Sequence, residues 1–171
     1  MGIGVLLLRL VVGSTLAAHG AQKLLGWFGG PGIAGTAPFL ETLGFVPGRQ
    51  AATTSGLLEI GGGLLLALGL ATPAASAVLV AVMLLPAVSV HSKNGFFIQE
   101  GGYEYTLIIG ATALSVTFTG PEPLSLDSHL GLELAGPLWG LGALAVGLAG
   151  GAFRLLRRRV PAPAPASHQV A

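Results

Sequence analysis

Seven side chains carry most of the chemistry that this sequence offers: Arg9, His19, Lys23, Glu59, His91, Glu104 and Tyr105. The two imidazoles can exchange protons near neutral pH. Arg9 and Lys23 can hold anions or polarised oxygens, Arg through a planar fork and Lys through a point charge. Glu59 and Glu104 supply carboxylates that orient such groups, and Tyr105 follows Glu104 directly. There is no cysteine, which excludes disulfides, thiolate metal sites, a CxxC redox pair and a Cys nucleophile. Any redox chemistry therefore depends on a bound cofactor or a partner. Two His and two Glu could in principle bind zinc or iron. They come from four separate segments with no HxxxH or ExxH spacing, however, and Lys23 would repel a cation. No metal is expected.

The elements that must position these groups are lipid-embedded. Of 171 residues, 52% are hydrophobic and 9% charged, with a mean hydropathy of +0.79, against roughly 25% charged in a soluble domain. The 28 glycines suit close helix contacts in a membrane. The fold class is accordingly all-α, a polytopic membrane helix bundle with the bilayer as its solvent. A first span is expected over Ile3 to Leu25. No Lys or Arg precedes Arg9 and the stretch ends in polar residues, so it reads as a retained helix rather than a cleaved secretory signal. The Gly/Pro-rich stretch Gly26 to Gly35 breaks it, and Thr36 to Leu43 reads as a short interfacial helix with Pro38 in its first turn. Further spans are expected over Ala52 to Leu70, over Pro73 to Val90 with a kink at Pro86, over Tyr103 to Thr119, and over Leu134 to Phe153. The last contains Gly136xxxGly140 and Gly147xxxGly151, which serve packing within the chain or dimerisation.

Loop charges orient the bundle. Lys23, Arg49, Lys93 and Arg154 with Arg157 to Arg159 fall in alternate loops, whereas the loop after the fourth span has Glu122, Asp127 and Glu133 and no Lys or Arg. Cytoplasmic loops are enriched in basic residues, so the N-terminus is expected outside and the C-terminus in the cytoplasm. This topology brings His19, Lys23, His91 and Glu104 to one level on the cytoplasmic side, with Glu59 about 9 Å further in at 1.5 Å per residue. Arg9 lies about 15 Å from His19 along the same helix and needs a partner of its own. The basic residues form no broad face, so nucleic-acid binding is not expected.

Three readings of the polar residues stay open. They are glue between helices, with Glu59 paired to Lys23 or Arg9 and His91 to Glu104; or a pocket for a small polar or amphipathic ligand; or side chains snorkelling to the interface.

Arg9-Leu10, His19-Gly20, Lys23-Leu24, Gly26-Trp27-Phe28-Gly29-Gly30, Glu59 with Gly62, Met83, His91 with Asn94-Gly95-Phe96-Phe97, Gly102-Tyr103-Glu104-Tyr105 and Gly120-Pro121 with Ser125-Leu126-Asp127 together resemble the DoxX family of small bacterial and archaeal membrane proteins, over about Leu8 to Asp127. The resemblance implies a four-helix core, residues 1–130, with a fifth C-terminal transmembrane helix at 131–156 as an addition and a basic, then Pro/Ala-rich disordered cytoplasmic tail at 157–171. Relatives include a DoxD-type subunit of a thiosulfate:quinone oxidoreductase, while distant eukaryotic ones look like cargo receptors and membrane chaperones. The expectation is an inner-membrane subunit of a redox or respiratory complex whose polar cluster takes a quinone or an anion, with the bilayer, redox-complex proteins and other copies of the chain as partners. The competing expectation is a non-catalytic scaffold that docks partners around a structural polar core.

Overall fold

The computed structural model describes residues 2–159, which form seven helices and, among the described residues, no strand. Helix α1, Gly2–Leu25, contains no proline and carries Lys23 in its last turn, where a cation suits the free carbonyls. Helix α2 covers Gly32–Thr42, starting four residues ahead of the expected Thr36. The Pro31 carbonyl already accepts the Gly35 N–H at 3.2 Å, so a turn is wound before Thr36, and Pro38 sits mid-helix instead of in the first turn.

Helix α3, Gly48–Leu68, stops at Gly69, whose φ of 63° is left-handed. The Leu70 N–H returns to the Leu65 carbonyl at 2.9 Å, the hydrogen bond that closes a helix around such a glycine. Helix α4, Thr72–Pro86, has Pro73 at its start. Pro86 lacks the N–H that would continue the ladder, and the helix widens there into a π-turn over Ala87–His91. Helices α5 (Glu104–Thr119), α6 (Leu126–His129) and α7 (Pro137–Leu156) follow. Helix α7 begins three residues later than expected because Pro137 suits a first helical position, and it extends through Arg154. The Pro/Ala tail expected over 161–171 lies outside the described residues.

Helices α1 and α3 pack antiparallel along a glycine seam. A Cβ on Gly20 would meet the Gly56 carbonyl at 2.5 Å, and one on Gly63 would meet the Gly13 carbonyl at 2.5 Å. The repeat of seven on both helices keeps the seam on one side of each. Helix α7 packs on α4, its Gly147 against Ala77 and Val80 and its Gly151 against Leu84, while Gly140 lies under Phe118 of α5. Three of the four glycines in the two small-residue motifs are thus occupied inside the chain.

The radial distribution inverts that of a soluble protein. Leu7, Leu57, Leu107, Leu141 and Val146 face outward, while Arg9, Glu59, Thr72, Ser76, Thr117 and Asp127 are among the most buried side chains. Helices over Gly2–Leu25, Gly48–Leu68, Thr72–Asn94 and Pro137–Leu156 are long and apolar enough to cross a membrane. The 16 residues of α5 reach about 24 Å at 1.5 Å per residue, short of the others. Helix direction gathers both Lys, and every Arg except Arg9, at one end of the bundle. The Glu122–Glu133 loop lies at the other.

Candidate functional site

At the basic end, α1 and α3 present an ion pair. Lys23 Nζ pairs with Glu59 Oε1 and donates to Ser55 Oγ at 3.2 Å. The carboxylate is 3% exposed and the ammonium side chain 31%, so one partner is sealed and the other reaches the rim. Glu59 Oε2 is buried without a hydrogen-bond partner. Ser55 stands one helical turn before Glu59, which puts hydroxyl and carboxylate on the same face. Between α1 and α5, His19 Nε2 and the Tyr105 hydroxyl are 3.1 Å apart. His19 and Lys23 stand one turn apart on α1, which sets the two pairs side by side.

His91 and Glu104 share this end but not this neighbourhood. His91 Nδ1 donates to the Gly101 carbonyl at 2.7 Å, and Glu104 Oε2 accepts the Ile98 N–H at 3.0 Å. Each braces the 92–103 loop, so the expected His91–Glu104 pairing does not form. The reason is local: each side chain is taken up by a main-chain group of the loop it borders, His91 by the Gly101 carbonyl and Glu104 by the Ile98 N–H.

Arg9 occupies the opposite end and is 1% exposed. Its guanidinium donates to the carbonyls of Pro121, Leu124 (2.6 Å) and Ala67 (3.4 Å). Asp127, fully buried, accepts from the Ala71 and Thr72 N–H groups at 2.7 and 2.9 Å and from the Thr72 hydroxyl at 2.6 Å. It therefore caps α4 from a distant loop. Gly69 makes room: a Cβ there would meet Arg9 Nη1 at 2.8 Å. Arg9 thus belongs to a clasp between the 121–127 loop and the α3–α4 turn, far from the other six residues.

A cavity of about 540 Å³ opens at the basic end between α2, α3, α4 and α7, within the usual range of ligand pockets. Its lining is mostly apolar, with Phe39, Leu58, Leu85 and Phe153, and includes the polar side chains of Lys23, Ser55, His91 and Arg154. Of the seven sequence-selected residues it takes in Lys23 and His91. Sequence reasoning did not reach Ser55, Arg154 or Asp127 in these roles. The signals were there in Ser55 at four before Glu59, and in the Ser-x-Asp start of α6. Among the described residues no group of three His, Asp or Glu is placed to hold a metal ion.

The DoxX family model matches residues 4–92, just over half of the chain. The chain belongs to the DoxX family. The matched segment runs from α1 through the π-turn after Pro86 and contains Arg9, His19, Lys23, Glu59 and His91. Helices α5, α6 and α7 lie beyond it. No curated protein and no solved structure matches the chain.

Proposed function

We propose that this DoxX protein is a membrane subunit of a redox or respiratory complex and that the cavity beside Lys23 binds a quinone or an anion. The observation that carries the reading is a largely apolar cavity whose lining includes the hydrogen-bonding side chains of Lys23, Ser55 and His91, which suits a polar ring or head attached to a hydrocarbon chain. Lys23 Nζ is a donor for a carbonyl oxygen. With Nδ1 committed to Gly101, His91 has Nε2 for a ligand, as acceptor when the ring is neutral and donor when it is protonated. Glu59 holds Lys23 in place. The orientation, N-terminus outside and C-terminus cytoplasmic, is supported by the concentration of Lys and Arg at the cavity end. The domain division proposed is a four-helix unit with α7 added to it.

Purified protein should bind decylubiquinone or thiosulfate, and His91→Ala and Glu59→Gln should weaken that binding about tenfold each, the scale of one charged hydrogen bond. Binding by both variants at the parental level rejects the pocket. A scaffold with a structural polar core is the second reading, supported by the closed Lys23–Glu59 pair and by the loop-bracing roles of His91 and Glu104. Under it a partner protein co-purifies equally well with parent and variants.

A further inference from the structure

The cavity is not built by the family-matched segment alone. Helices α2, α3 and α4 supply three of its sides, and α7, outside the match, supplies Gly150, Phe153 and Arg154. No Asp or Glu lines it. Lys23 is neutralised by Glu59, so the charge that sets the cavity's sign is that of Arg154. Its guanidinium lies 5.4 Å from the centre of the Phe45 ring, and among the described residues it has no carboxylate within ion-pair distance. A cation over an aromatic face is held near the ring while its N–H donors stay available to a ligand.

We propose that α7 turns the groove into a chamber for an acidic amphiphile, with Arg154 as the residue that selects the head group. The ligand class is a single carboxylate or phosphate head on a hydrocarbon chain. The head sits at the Arg154 rim and the chain runs inward along Leu58 and Leu85. The proposal rests on the cavity being a ligand site, and it adds a specificity that Lys23 and His91 do not provide. An acid on Arg154 forms a charge-assisted, bidentate contact; an uncharged head of the same size cannot.

The experiment uses full-length protein purified in a neutral detergent, with retained ligand counted by native mass spectrometry and affinity taken from titration. The probes are oleate, oleyl alcohol, dioleoyl phosphatidylglycerol, dioleoyl phosphatidylcholine and decylubiquinone. Oleate or phosphatidylglycerol should bind at least about tenfold more tightly than its uncharged or zwitterionic counterpart, the discrimination expected of one bidentate charged contact. Arg154→Ala should abolish that preference, Arg154→Lys should keep part of it, and Arg158→Ala should leave it intact. Leu58→Trp should exclude every probe. Preference for phosphatidylglycerol alone supports a bilayer lipid as the source of the acid, and preference for oleate alone supports a free one. Equal binding of oleate and oleyl alcohol, or equal losses in Arg154→Ala and Arg158→Ala, overturns the proposal. Binding of decylubiquinone without any acid preference overturns it while leaving the quinone reading standing. Acid binding without decylubiquinone supports it and removes the quinone.

Discussion

Replacing Lys23 with alanine leaves a buried carboxylate without its cation. Glu59 is 3% exposed and its second oxygen already lacks a partner, so the charge left behind is uncompensated. Removing one member of a buried ion pair costs about 3–5 kcal/mol, and Lys23→Ala should fall near 3 kcal/mol because Ser55 remains close to Glu59. The reverse change is milder. In Glu59→Gln, Lys23 keeps an acceptor and, at 31% side-chain exposure, can extend its head to the rim, so the loss should be about 1 kcal/mol. At about 2–4 °C per kcal/mol, thermal unfolding in detergent micelles, followed by far-UV circular dichroism, should show a drop of about 6–12 °C for Lys23→Ala and 2–4 °C for Glu59→Gln. The double variant removes the stranded charge and should recover stability relative to Lys23→Ala. Equal losses in the two single variants, or a double variant weaker than Lys23→Ala, would refute the asymmetry argued from burial.

Gly20→Val should cost about 3 kcal/mol or more by forcing α1 away from the Gly56 carbonyl, whereas Gly61→Val, which meets nothing within 4 Å, should be tolerated; yields of monodisperse protein compare them. Asp127→Ala removes the acceptor of three hydrogen bonds and should cost about 2–3 kcal/mol, with new protease cleavage within residues 120–133 as the readout. Unchanged protease resistance would disconnect the clasp from loop order. The cysteine-free chain permits single-site labelling: Lys93→Cys and Glu133→Cys should react with an impermeant maleimide from opposite faces of oriented vesicles, Lys93 from the cytoplasmic one, and labelling from one face would reject the proposed topology.

Much of the helical layout was legible because hydropathy and proline act locally. The Thr72-Pro73 start and the disturbance at Pro86 follow from a missing N–H and a fixed φ, properties of one residue each. The early start of α2 was hidden because it depends on Pro31 adopting a helical ψ, which composition does not reveal. The pairing of Lys23 with Glu59 was one of two options, and choosing between them required the register of α1 against α3. That register is set by the glycine seam, whose sevenfold repeat is visible in the sequence only once both helices are known to be neighbours. Asp127 was assigned to an acidic loop and not to the interior, since its burial comes from the loop folding back on the α3–α4 turn. The cavity was the least legible feature: it needs several elements at once, and α7 enters from the far end of the chain.

The cage around Arg9 bears on the order in which the polypeptide is made. The Leu124 and Pro121 carbonyls that receive the guanidinium are 115 and 112 positions downstream. While α1 is being synthesised and handed to the lipid, none of these acceptors exists, and an unpartnered arginine in a bilayer costs about 2.5–3.5 kcal/mol on insertion scales. The nascent first helix is therefore a poor lipid resident until more than two-thirds of the chain has emerged.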